Sequence, residues 1–205
     1  MIGALDTVVF DLGGVLIDWD PRHLYRQLFD DHEEMERFLQ TVCTLEWHAR
    51  HDAGRPMAEG VAELVERHPG LEPTIRAYVE RWDEMFAGEM GETVEVLEEL
   101  QARGVPLFAI TNWPTETFPA ARERFSSLAR FAGIVVSGAE GVAKPDPRLF
   151  RVLVDRHGVD PEATLFVDDT QRHLDAAAAM GFAVQRFTDA EALRHRLVRE
   201  RLLVG

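Results

Sequence analysis

Thr7-Val8-Val9-Phe10-Asp11-Leu12-Gly13-Gly14-Val15-Leu16 is the stretch on which the fold turns. Residues 7–10 are β-branched or apolar without alternation, as expected of a strand buried on both faces of a parallel sheet. An aspartate then ends the strand and a glycine pair turns the chain, so a carboxylate is aimed off the strand's carboxyl end. Similar runs recur at residues 106–110, 133–136, 164–167 and, more weakly, 182–184. Helical patterns separate them. Val94, Leu97 and Leu100 share a face before Gly104, and Leu174, Ala177 and Ala178 precede Gly181. Leu149, Phe150, Leu153 and Val154 form a stripe that opens at Asp146-Pro147 and closes at Gly158. Strand, helix, strand, helix predicts a doubly wound α/β domain.

The segment 19–87 breaks this rhythm. It shows no convincing strand, and its patterns are helical at 23–29, 33–39, 57–67 and 74–86, punctuated by Pro56, Pro69-Gly70 and Pro73. We expect an inserted helical subdomain over 19–87, with the core formed by 1–18 and 88–205. Ligands bind beyond the carboxyl ends of strands in open parallel sheets, so an insertion just after the first strand is positioned to act as a lid. Residues 190–203 read as a final surface helix, and His157 and His173 as surface residues.

Composition narrows the function classes. A chain of 205 residues has room for one such domain with an insertion, and 46% hydrophobic with 28% charged residues excludes disordered and fibrous classes. No apolar run approaches the ~20 residues of a membrane helix. The N-terminal residues lack the basic segment and apolar core of a signal peptide. The single cysteine, Cys43, excludes an internal disulfide, and a cytoplasmic setting is expected. Lys+Arg 22 against Asp+Glu 36, a net charge of −14, argues against nucleic acid and anionic membranes as partners. A small anionic substrate would need a local cation. The expected assembly is a monomer or homodimer. Among the basic residues only Lys144 is a lysine; all the others are arginine. Either one lysine simply survived the bias, or position 144 needs a compact ammonium that a planar guanidinium does not replace.

Polar residues cluster where strands end. Asp11 follows the first strand, Thr111-Asn112-Trp113 the second and Asp168-Asp169-Thr170 the fourth. Singly, each has a plain structural explanation: a turn aspartate, a helix N-cap, a solvated acidic turn. Two adjacent carboxylates, however, need a cation or a proton, and a hard divalent ion such as Mg²⁺ suits them while leaving room for a phosphate. Taken together, a carboxylate, a hydroxyl, a lysine and a carboxylate pair on separate strand–helix junctions make a phosphoryl-transfer site.

In this order and spacing, Val9-Phe10-Asp11-Leu12-Gly13-Gly14-Val15-Leu16, Ile110-Thr111-Asn112-Trp113, Lys144-Pro145-Asp146-Pro147 and Phe166-Val167-Asp168-Asp169 resemble the haloacid dehalogenase-like hydrolase superfamily. The resemblance implies a Rossmann-like parallel-sheet core with an inserted α-helical cap. It implies Asp11 as nucleophile, forming an aspartyl-phosphate that water hydrolyses. Thr111 would bind a phosphoryl oxygen with Asn112 close by, and Lys144 would neutralise Asp11 and the phosphate. Asp11, the Gly13 carbonyl, Asp168 and Asp169 would hold Mg²⁺. Trp113 and, from the cap, Trp47 are candidates to line the substrate pocket, with His48, Arg50 and His51 in the same stretch.

One departure matters. Most phosphatases of this superfamily carry a second aspartate, the general acid and base, where this chain has Gly13. Three accounts follow: a leaving group good enough to depart unaided, a substitute carboxylate such as Asp18 or Asp20, or weak or absent catalysis with a binding role. The run Asp-Leu-Gly-Gly-Val-Leu-Ile-Asp-Trp-Asp resembles a bacterial subgroup that includes glucose-1-phosphate phosphatases, which points to sugar phosphates. The competing chemistry is metal-free 2-haloacid dehalogenation by the same aspartate, which Asp168-Asp169 opposes by charge.

Overall fold

The computed structural model describes residues 4–204. In chain order, β1 (Thr7–Phe10) and a short β2 (Ile17–Trp19) precede α1 (Pro21–Tyr25), α2 (His32–Thr41), α3 (Leu45–Asp52), α4 (Met57–Arg67) and α5 (Glu72–Glu80). The chain returns through β3 (Phe86–Glu89), α6 (Gly91–Ala102), β4 (Leu107–Thr111), α7 (Phe118–Arg124), β5 (Gly133–Val136), α8 (Ser137–Glu140) and α9 (Pro147–His157). It ends with β6 (Thr164–Asp168), α10 (Gln171–Ala179), β7 (Ala183–Arg186) and α11 (Ala190–Arg199).

Five parallel strands form the sheet in the order β5-β4-β1-β6-β7. Val8 and Phe10 of β1 enter one apolar cluster and Val9 the other; Leu165, Val167 and Phe166 of β6 divide the same way. Burial on both faces is why these strands are written as continuous apolar runs. The chain builds β4 and β5 on one side of β1, then crosses to β6 and β7 on the other. The connections diverge between β1 and β6, which opens a crevice beyond their carboxyl ends.

Local signals act as expected around α9, where the Asp146 side chain caps Arg148 N and Gly158 closes the helix in the left-handed region. Three expectations for the insertion need correction. Segment 19–87 is not free of strands: Trp19 ends β2 and Phe86 opens β3, and the two pair as an antiparallel ribbon. Strands of three and four residues are too short to show a period in the sequence. Residues 45–52 form α3, with Thr44 Oγ1 accepting from Trp47 N at its start; a mixed polar and aromatic composition hid this helix. The helix expected over 74–86 stops at Glu80, and a 3₁₀ turn leads into β3. The tail forms the expected final helix, with Leu193 and Leu197 of α11 on its buried face and Arg194 paired with Glu99 of α6.

The helical insertion docks on the core. Met57 N donates to Glu116 Oε2 at 3.1 Å, and Arg124 donates to the carbonyls of Asp83 and Phe86 at 2.6 and 3.3 Å. Just beyond α3, Gly54 has φ +95°, and a Cβ there would stand 3.2 Å from the Gly138 carbonyl at α8. A glycine at this joint lets α3 approach the strand ends.

Candidate active site

At the end of β1, the Asp11 carboxylate is held by its own turn, with Oδ1 accepting from Leu12 N at 2.7 Å. Its Oδ2 lies 2.9 Å from Lys144 Nζ, and the same ammonium lies 2.7 Å from Asp168 Oδ2 at the end of β6. The lysine side chain is fully buried. Its stem comes from the loop after α8, and Asn112 sets its position. Asn112 Oδ1 accepts from Lys144 N at 2.8 Å, while Nδ2 donates to Lys144 O at 3.1 Å. Asn112 thus reaches the site through the lysine's backbone.

Charge governs this centre. Burial raises the Asp11 carboxyl to about 8 and Asp168 pushes it the same way, against the pull of Lys144. Burial also acts on Asp168, but Lys144 and His173 outweigh it and hold Asp168 well below the usual carboxylate range. Burial disfavours the Lys144 ammonium, and the two aspartates overcome that and raise it. One ammonium therefore serves two buried carboxylates, with a third carboxylate, Asp169, at the same edge.

A cavity of about 390 Å³ opens above this centre. Asp11, Gly13, Gly14, Lys144 and Asp169 form its polar floor, and Trp19, Trp82, Phe86 and Trp113 line its walls. The Phe86 and Trp113 rings stack at 5.3 Å and 10°. From α3, His48 and Asp52 face the same space.

The sequence-derived candidates distribute unevenly. Asp11, Gly13, Asn112, Trp113, Lys144 and Asp169 border the cavity. Thr111 is buried at the end of β4 and is not among the lining residues. Asp168, expected among the metal ligands, is placed as the lysine's partner. It is fully buried, and besides Lys144 it accepts from Thr170 N at 2.8 Å and faces His173 Nδ1 at 3.1 Å. His173 is accordingly a buried residue at the start of α10, not the surface histidine expected. Trp47 is also corrected. Its ring packs edge-on against His51 and Tyr78, and Nε1 donates to Gly60 O at 3.3 Å, so it belongs to the interior of the insertion. Asp20 caps α1 at Arg22 N and Asp18 pairs with His23, which leaves neither on the cavity wall. Asp52 and the tryptophans at 19 and 82 went unread. A signal existed: Leu45, His48, Ala49 and Asp52 share one helical face, visible once 45–52 is known to be a helix.

The donor set fits a divalent cation. Asp11, Asp168 and His173 bring ligand atoms within 4.8 Å of one another, but Lys144 already occupies the Asp168 end of that trio. The open side is the one facing the cavity. There Gly14 (φ +73°) leaves a space that a Cβ would fill, 2.7 Å from Asp169 Oδ2. Glycine at this turn lets the Asp169 carboxylate lie down over the loop beside Asp11, and hard oxygen donors with surplus negative charge suit Mg²⁺.

Comparison with known proteins identifies the family and the fold. A family model described as haloacid dehalogenase-like hydrolase matches residues 5–181. A sesquiterpene phosphatase of Aspergillus oryzae is 27% identical over 205 residues, covering 100% of both chains. A phosphorylated carbohydrates phosphatase of Thermotoga maritima is 26% identical over 201 residues, 92% of this chain and 90% of its own. Among solved structures, a HAD family enzyme of Bacteroides thetaiotaomicron in complex with magnesium and inorganic phosphate superposes with a TM-score of 0.67 at 20% identity. The match covers 90% of this chain and 94% of that one.

Proposed function

This chain belongs to the haloacid dehalogenase-like hydrolases, and on that premise we propose that it is a magnesium-dependent phosphatase of a small phosphorylated metabolite, with Asp11 as nucleophile. The observation that carries this reading is the Lys144 ammonium bridging Asp11 and Asp168 at the cavity floor. An ammonium shared in this way lowers the cost of bringing a phosphate dianion against a carboxylate, which is the main barrier in such chemistry.

Asp11 Oδ attacks phosphorus in line, and the ester oxygen leaves on the far side. Lys144 holds the attacking carboxylate and draws the phosphoryl oxygens in, and Asn112 keeps Lys144 in place. Water then cleaves the aspartyl-phosphate. Asp11, the Gly13 carbonyl and Asp169 would hold Mg²⁺, which when bound offsets the repulsion between nucleophile and substrate. Residues 19–87 act as a cap over a core of 1–18 and 88–205, and the cap excludes bulk water once substrate is seated.

The walls bear on the substrate. A hexose phosphate, suggested by the Asp-Leu-Gly-Gly run, presents hydroxyls on all sides, whereas Trp19, Trp82, Phe86 and Trp113 offer mostly carbon surface. They favour an ester whose alcohol carries a hydrocarbon or planar group, since apolar burial yields about 25 cal/mol per Å². Dehalogenation is disfavoured because Asp169 would face both a substrate carboxylate and a departing halide.

The test is turnover of p-nitrophenyl phosphate and acetyl phosphate with Mg²⁺ and with EDTA, beside chloride release from a 2-chloroacid. Metal-dependent phosphate release is the expected result. Chloride release without metal supports the dehalogenase instead, and silence in every assay supports a binding role.

A further inference from the structure

The chain lacks a proton donor at Gly13, yet a second carboxyl group, from the insertion, lines the same cavity as Asp11. Asp52 ends α3, is about nine-tenths buried and lines the same space as Asp11 and Lys144. Its Oδ1 has no hydrogen-bond donor among the described residues. His48, one turn earlier, brings Nε2 to 3.3 Å from that oxygen without good hydrogen-bonding geometry, and His48 Nδ1 is likewise buried and unpaired. Buried polar groups are ordinarily satisfied, and two unsatisfied ones on residues that line one cavity mark a place the fold does not complete by itself.

We propose that Asp52, carried on α3 of the insertion and flanked by His48, is the proton donor and acceptor that Gly13 does not supply. This assignment rests on the phosphatase reading above. As Asp11 forms its bond to phosphorus, the P–O bond to the alcohol breaks and the departing oxygen takes the Asp52 proton. Water then attacks the aspartyl-phosphate and gives its proton to the Asp52 carboxylate, which restores both aspartates and releases the alcohol and inorganic phosphate.

The surroundings suit this work. Burial raises the Asp52 carboxyl to about 7, with Lys144 pulling it back, so it can carry a proton near neutrality and give it up. Burial lowers His48 to about 3, with His51 adding to the effect, so the imidazole stays neutral and does not lock Asp52 in an ion pair. Trp19 and Trp82 lie against the His48 ring at 4.9 and 5.7 Å and keep the pair dry.

The test is the Asp52→Asn variant of the whole protein with Mg²⁺, compared with wild type on phosphate monoesters whose alcohols span a wide range of pKa. General acid help is worth ~10²–10⁴-fold and matters most for poor leaving groups. The expected loss is therefore about 10²-fold or more on an alkyl phosphate and under about tenfold in the nitrophenolate burst from p-nitrophenyl phosphate. The nitrophenolate burst and a thermal melt report on folding, and Asp52→Ser serves as a second variant should the asparagine form be unstable. Equal losses on every ester in the first, alcohol-releasing step, or none on any, overturn the assignment while leaving the phosphatase reading intact. A wild-type protein silent on all esters removes the phosphatase reading itself, and this assignment with it.

Discussion

The strand-end floor of the site and its helical roof are built on different principles. On the floor, Asp11 and Asp168 close neighbouring parallel strands, and Lys144 is clamped at both backbone atoms by Asn112. The aspartates' positions follow from the sheet register, and the lysine's from that clamp. On the roof, His48 and Asp52 occupy a helix face whose place depends on a few joints: Gly54 against Gly138, Met57 against Glu116 and Arg124 against Asp83. The floor is fixed by strand ends and by the Asn112 clamp, which suits it to chemistry common to many substrates. The roof depends on those joints, and under the proposed function substrate choice would belong there.

The largest expected effect breaks the floor. Asp11→Asn removes the nucleophile and should cut turnover on the order of 10⁴–10⁶-fold with the far-UV circular dichroism unchanged. Wild-type-like phosphate release from this variant would end the role of Asp11.

Next, Lys144→Met strands two buried carboxylates. Removing one partner of a buried pair typically costs about 3–5 kcal/mol, so a fall in Tm of several degrees should accompany the loss of activity. Lys144→Arg should not restore either, because a guanidinium does not fit a pocket built for a compact ammonium. Recovery by arginine would show that charge alone matters at this position.

On the roof, Trp82→Leu should raise KM for an ester with a bulky hydrocarbon alcohol by roughly tenfold, the scale of a few methylene contacts. Acetyl phosphate, which has little to place against that wall, should change by less than about threefold. Equal shifts for both substrates would remove Trp82 from specificity.

A subtler contrast lies in pH. Asp52 is raised from its usual value to about 7 in the fold. The folded state then binds the proton more tightly than the unfolded chain, so its contribution to stability is full below pH ~4 and is lost as pH rises through about 7. Groups around it include His48 and His51 on its own helix, Tyr78 from α5 and Lys144 from the core. Asp52→Asn should therefore gain Tm relative to wild type from pH 5 to pH 8 in metal-free buffer, with no gain at pH 4. A constant offset across that range would contradict the raised carboxyl.

Legibility follows the same division. The parallel core was written in continuous apolar runs, and β1 and β5 begin and end where those runs do. Asp11, Lys144 and Asp169 were marked by their strand ends, by an isolated lysine and by an acidic pair. What escaped was partnership. Nothing in Phe-Val-Asp-Asp distinguishes the aspartate that turns inward to Lys144 from the one that faces the cavity. Nor does the sequence reveal that His173 folds back on Asp168. Trp47 and His48 are neighbours in the chain, yet the helix turns one into the insertion's interior and the other toward the cavity.

The order of chemical groups along the strand ends, and hence the family, came from sequence alone, because residues at the carboxyl ends of parallel strands border the ligand crevice whatever the rest of the chain does. The second wall did not. A helix presents a new face every residue, and which face meets the cavity is settled only when the insertion packs against the core. Burial and docking thus assigned Asp52 and the tryptophans their place, and relieved Trp47 of it.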